Sequence, residues 1–122
     1  MVKKFLEKNS GYFYVLFRVI IGLVFLLHGV MKIPMLSSFG LMTLAGVIEL
    51  VGGALLILGL FVRPVALVAA IEMVFAYFMA HAGNGWNPLV NKGEPAVLFF
   101  AAFLVLIAYG HGKCALANLK RK

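Results

Sequence analysis

The sequence predicts an all-α protein, a four-transmembrane-helix bundle with both termini in the cytoplasm. Two observations carry that expectation. Apolar residues make up 64% of the 122 positions and charged residues only 12%, about half the charged share of an ordinary soluble domain. The apolar residues also gather into four blocks that reach or approach the roughly 20 residues a bilayer-crossing helix needs. Mean hydropathy is +1.06. One domain, residues 1–122, is expected at this length.

Residues 1–11 form a short basic lead-in with Lys3, Lys4 and Lys8, closing on Asn9, Ser10 and Gly11, a plausible helix start. The first span, about 12–31, opens on Tyr12, Phe13 and Tyr14, where an aromatic belt belongs. It is full length, contains Arg18 and is followed by no small-residue cleavage site, so it reads as a retained span and not as a signal. A brief loop with Pro34 leads to the second span, about 41–61. The turn Val62-Arg63-Pro64 is tight, and Pro64 suits the first turn of a third span at about 65–82. The longest connection, His81 to Glu94, is rich in Gly and Asn and offers Trp86 as an interfacial anchor. Pro95 marks the start of the fourth span, about 95–110, with Glu94 at the positive end of the helix dipole. Its 15 core residues rise only about 23 Å.

Lys3, Lys4, Lys8, Arg63, Lys113, Lys120, Arg121 and Lys122 fall on one side of this arrangement, against Lys32 and Lys92 on the other. That bias is the positive-inside pattern of a protein in the cell (inner or plasma) membrane with both termini cytoplasmic. The net charge of +7 is therefore read as topology and not as a nucleic-acid footprint. The single cysteine, Cys114, excludes an intrachain disulfide and a C-x-x-C pair. No His, Cys or carboxylate set has metal-ligand spacing.

Arg18, Glu49 and Glu72 lie inside the apolar blocks, where each costs roughly 2.5–3.5 kcal/mol at a helix centre. In span one, Arg18, Gly22, Phe25, Gly29 and Lys32 recur at helical spacing within about 80° of arc. In span two, Gly46, Glu49 and Gly53 share a face, with Gly52 beside them. Gly22, Gly29, Gly46, Gly52 and Gly53 are read as helix-packing positions that let neighbours approach closely. An Arg18–Glu49–Glu72 cluster follows from the shared depth. One cation cannot neutralise two carboxylates, so one glutamate is expected to hold a proton. His28 sits off the Arg18 stripe in the outer third. The candidate ligand or proton site is thus Arg18, His28, Lys32, Glu49 and Glu72, in a pocket between spans one and two with Phe25 as a stacking surface. No residue is assigned a catalytic role.

The stretch Arg18-xxx-Gly22-xx-Phe25-Leu26-Leu27-His28-Gly29-xx-Lys32 resembles the opening of the DoxX family of small four-helix membrane proteins. Gly46 to Pro64 and Asn91 to Gly112 resemble its second and last spans, so the likeness covers nearly all of the chain after residue 11. Two features depart from the family pattern. Lys32 and Glu49 are only 17 residues apart, and Lys113 to Ala117 replaces a more polar ending. The resemblance implies a four-helix bundle in a redox-linked, quinone-linked or oxidative-stress membrane system. The residues matching the family pattern are Arg18, His28, Gly29, Lys32, Glu49, Gly52 and Gly53.

The leading functional expectation is a membrane subunit of such a redox system, with quinone as the cofactor it would take. The chain has no haem pair, cysteine cluster or flavin motif, so electron transfer would need a partner subunit or a bound cofactor. The alternatives are a small proton-coupled transporter and a non-catalytic assembly or interaction protein. The expected partners are the lipid bilayer, with other membrane or redox subunits, a small hydrophobic ligand and a second copy of the chain left open.

Overall fold

A computed structural model describes residues 1–38 and 40–121. Lys122, counted above among the cytoplasmic cations, lies outside them. The described residues are helical with no strand: α1 (Val2–Lys8), α2 (Ser10–Met31), α3 (Leu41–Leu58), α4 (Val62–Ala76), α5 (Pro88–Asn91) and α6 (Glu94–Tyr109). Short 3-10 turns cover Ile33–Ser38, Ala82–Asn84 and Leu116–Arg121. A π-helical turn, Tyr77–His81, prolongs α4. Among the described residues, three helical segments are long and apolar enough to cross a membrane: Ser10–Met31, Leu41–Leu58 and Val62–Asn84. α6 is equally apolar in character but has 16 residues, a rise of about 24 Å.

Two element boundaries differ from expectation for local reasons. The chain leaves α3 at Gly59 and not at residue 61, because Gly59 adopts the left-handed conformation (φ +74°) that terminates helices. Phe61 follows at φ +52°, and α4 begins at Val62, which makes Gly59 to Phe61 the turn and puts Pro64 inside the helix. The first four N–H groups of a helix have no partner within it, so Pro64 removes none of its hydrogen bonds. The basic lead-in is the second difference. Val2–Lys8 is a helix of its own, separated from α2 by Asn9.

The helices close into a ring in which α2 lies chiefly on α3 and α4 chiefly on α6, with α3–α4 and α2–α6 completing it. The α2–α3 seam brings the two backbones together. A Cβ at Gly53 would lie 2.6 Å from Leu26 N, and one at Gly29 would lie 2.7 Å from Leu50 N. No side chain larger than hydrogen fits there without moving a helix. On the other side of the ring, α4 presents Ala66, Ala69 and Ala70, and the space they leave is filled by aromatic rings. Phe25, Phe99 and Phe103 meet with centroids 4.9 to 5.7 Å apart, an edge-and-stack geometry that adds to their burial.

Candidate functional site

Arg18 is 1% exposed, yet it makes no ion pair with Glu49 or Glu72. The expected cluster is corrected here. Its guanidinium donates to five backbone carbonyls. Nε reaches Leu56 O at 3.0 Å, and Nη2 reaches Ile57 O at 3.3 Å and Cys114 O at 3.1 Å. Nη1 reaches Lys113 O at 3.0 Å and also His111 O. The physical reason is depth along α3. Leu56 lies seven residues after Glu49, a rise of about 10 Å, so a side chain at the level of Leu56 and Ile57 is beyond reach of the glutamate. Helix ends leave carbonyls without partners and carry a negative dipole, and a planar five-donor cation satisfies both needs at once.

Around this hub the segment after α6 folds back across the end of the bundle. Gly110, Gly112 and Cys114 take positive φ to make the bends. Tyr14 OH donates to Gly110 O at 2.6 Å, Arg63 Nη2 to Ala108 O at 3.1 Å, and Ala117 N to Gly59 O at 3.3 Å. His111 Nδ1 lies 2.8 Å from Gly112 O. Cys114 is exposed and unbridged, and its carbonyl is one of the Arg18 acceptors.

The glutamates find a different cation. Lys32, the residue that closes α2, places Nζ 2.7 Å from Glu49 Oε1. Glu49 is 3% exposed at its side chain and Lys32 19%. The aliphatic stem of Lys32 runs over Gly46, where an added Cβ would lie 3.1 Å from Lys32 Cβ. Glu72, on α4, neighbours Glu49, and its Oε1 is buried with no hydrogen-bond partner among the described residues. The cluster is therefore Lys32–Glu49–Glu72, one cation facing a carboxyl pair, contributed by α2, α3 and α4.

Between α2 and α3 the backbones are in close contact at Gly22, Gly29 and Gly53, and Phe25 is fully buried in the aromatic core. An opening lies on the other flank of α2. A groove of about 300 Å³ runs between α2 and α6, lined by Ile21, Val24, His28, Glu94, Leu98 and Phe99 among others. His28 meets the Phe99 ring edge-on with centroids 5.3 Å apart. It sits four residues before Lys32, one helical turn away. The groove thus joins an apolar wall to an imidazole and, at its end, the carboxylate of Glu94.

Asn91 is the residue that the sequence does not single out. It is 3% exposed. Its side-chain amide donates to Tyr77 OH at 3.1 Å and Gly85 O at 2.8 Å and accepts from Gly93 N at 2.8 Å. Tyr77 OH in turn donates to Trp86 O, and His81 Nδ1 lies 3.2 Å from Asn91 O. This network fixes the long connection between α4 and α6. The signal is present in Asn87-Pro88, a cap followed by a helix-starting proline, and in Gly93 after the left-handed Lys92.

Long apolar helices around a buried ion pair and a carboxyl pair define an integral membrane protein. The family model for DoxX matches residues 13–82, and the chain belongs to the DoxX family. A Haemophilus influenzae protein described as uncharacterized is 41% identical over 126 residues, covering 93% of this chain and 94% of that protein. A second uncharacterized protein of the same organism is 34% identical over 74 residues, 61% of this chain and 49% of that protein. No solved structure matches.

Proposed function

We propose that the protein is the membrane subunit of a redox-linked system that binds a quinone-like headgroup in the α2–α6 groove and manages its proton through Lys32, Glu49 and Glu72. It works as one domain of four spans, α6 being the fourth, in the cell membrane with both termini cytoplasmic. The carrying observation is the Lys32–Glu49–Glu72 cluster, in which buried Glu49 and its neighbour Glu72 share a single lysine. A bare structural ion pair needs only one carboxylate. The second carboxyl adds the capacity to take up and release a proton, which is what a site handling a proton-coupled ligand requires.

The groove fits the proposed ligand in chemistry. It has an apolar wall for a substituted ring, an aromatic edge at Phe99, and His28 as a hydrogen-bond partner for a ring oxygen. A quinone, when bound, supplies the electron-accepting chemistry that the side chains lack. The chain's own residues orient the ring and hold the proton. Electrons would come from a partner subunit. The carboxyl pair also supports the proton-coupled transporter reading, which the binding experiment separates by ligand class.

The topology is tested by reporter fusions after Lys122 and within residues 84–92, which are expected to report opposite sides of the membrane. A periplasmic signal from the C-terminal fusion would sink that part of the reading. The ligand is tested with short-chain ubiquinone and menaquinone analogues on protein in lipid nanodiscs. His28→Ala is expected to lower affinity about tenfold, the equivalent of one lost hydrogen bond near 1.4 kcal/mol. Glu49→Gln is expected to abolish the pH dependence of affinity while leaving the fold intact. If wild type binds the analogues no better than a Glu49→Gln/Lys32→Ala variant, the redox reading is wrong and a non-catalytic assembly role replaces it.

A further inference from the structure

Helix α1 has two chemically distinct sides and, among the described residues, nothing that covers either. At 100° per residue, Val2, Phe5 and Leu6 fall within about 100° of arc. They are 73%, 62% and 45% exposed. Lys3, Lys4, Glu7 and Lys8 occupy the rest of the circumference, all exposed. A lysine borders the apolar strip on each side, Lys3 next to Leu6 and Lys8 next to Phe5. No residue of α1 is buried.

The surroundings extend the same charge. Asn9 links α1 directly to α2, donating from Nδ2 to Phe5 O at 2.8 Å while its carbonyl accepts from Tyr12 N and Phe13 N. Lys113 stands over the Tyr12 ring, 4.7 Å from its centroid. Exposed Arg63 is tied to Ala108 at the same end of the bundle. This end therefore presents Lys3, Lys4, Lys8, Arg63 and Lys113 against one acidic group on α1, Glu7.

We propose that α1 is a membrane-surface anchor that lies along the bilayer interface and binds anionic lipid headgroups. Val2, Phe5 and Leu6 insert at the boundary between headgroups and acyl chains, and the flanking lysines reach the lipid phosphates. Two observations select the lipid surface over a protein partner. α1 emerges one residue before a membrane-spanning helix, which places it at the interface. Its apolar strip is edged by cations on both sides, the arrangement that lets an in-plane helix bury one face while its lysines snorkel to headgroups. The attraction of each lysine to an anionic surface is on the order of fivefold in the docking equilibrium.

The test uses the full chain in vesicles with Trp86→Phe and Phe5→Trp, so that one tryptophan reports on α1. Acrylamide, a neutral quencher, measures its exposure. In vesicles containing phosphatidylglycerol, this reporter indole is expected to be blue-shifted, shielded from acrylamide and quenched by brominated acyl chains. Adding Lys3→Gln, Lys4→Gln and Lys8→Gln is expected to return it to solvent at the same lipid composition. In pure phosphatidylcholine the shielding is expected to fall several-fold. A second reporter, Leu6→Trp with Trp86→Phe, repeats the measurement should the first substitution disturb the helix. Three results overturn the proposal: full exposure in both lipids, shielding indifferent to lipid charge and to the lysines, or shielding that arises only when a second protein is added. None depends on quinone binding, so the two proposals fail separately.

Discussion

Arg18→Ala is expected to be the most damaging single substitution in the chain, lowering stability in detergent by about 4–5 kcal/mol, at the extreme of what one residue does. The side chain is all but fully buried and satisfies carbonyls from the end of α3 and from the segment after α6. Hydrogen bonds to a charged group contribute about 1.5–3 kcal/mol each. Water entering the vacated end of the bundle replaces part of what five such bonds supply. Arg18→Lys is expected to recover only part of the loss, because an ammonium has three donors and no fork to bridge two segments. Thermal unfolding of both variants beside Lys4→Ala, an exposed control, measures the ranking. A double-mutant cycle with Glu49→Gln identifies the cause. Independent sites add within about 0.3–0.5 kcal/mol, so additivity is the expected result. Coupling well above that range would restore an Arg18–Glu49 ion pair and remove the carbonyl hub.

The difference over Arg18 has a definite source. Side-chain identity is visible in a sequence, but a free helix-end carbonyl is not, so the sequence pairs a buried arginine with the two acidic residues that lie inside the apolar blocks. Similar distances from span midpoints support that pairing, yet α3 ends at Gly59, which brings Leu56 O and Ile57 O to the arginine. The Cα of Lys32 alone puts that residue at the outer boundary. Its long aliphatic stem carries the ammonium back over Gly46 to Glu49.

What is legible follows from periodicity and length. Arg18, Gly22, Phe25 and Gly29 are the residues that α2 buries, because a 3.6-residue repeat determines a face whatever packs on it. The apolar runs locate three long helices because in each of them apolar residues far outnumber charges. The amphipathic spacing of Val2, Phe5 and Leu6 is equally present in the sequence, but a basic segment this short gives periodicity too little length to stand out from a plain lead-in. The α2–α6 groove is not readable at all. It arises from how two distant helices splay, and neither His28 nor Glu94 signals the other in sequence.

Lys32→Met is expected to destabilise the protein by about 3–5 kcal/mol, since removing one member of a buried pair leaves an uncompensated charge. Glu49 is 3% exposed and the ammonium 2.7 Å away is its sole cationic partner among the described residues. Methionine keeps the length and packing of the stem along Gly46, so the loss reports on charge and not on volume. Lys32→Met/Glu49→Gln removes the charge from both ends, and most of the stability is expected to return. A large part of the single-variant penalty is then the cost of the stranded carboxylate and not the worth of the contact. The carboxyl pair makes a further distinction possible. In Lys32→Met/Glu72→Gln the neighbouring carboxyl can no longer share a proton with Glu49, so this double variant is expected to be no more stable than Lys32→Met alone. Chemical denaturation or steric trapping in bicelles orders the three variants. If Lys32→Met unfolds with wild-type stability, or if Glu72→Gln rescues it as well as Glu49→Gln does, then Glu49 is not the carboxylate that Lys32 neutralises, and the proton site assigned to the three helices does not exist in this form.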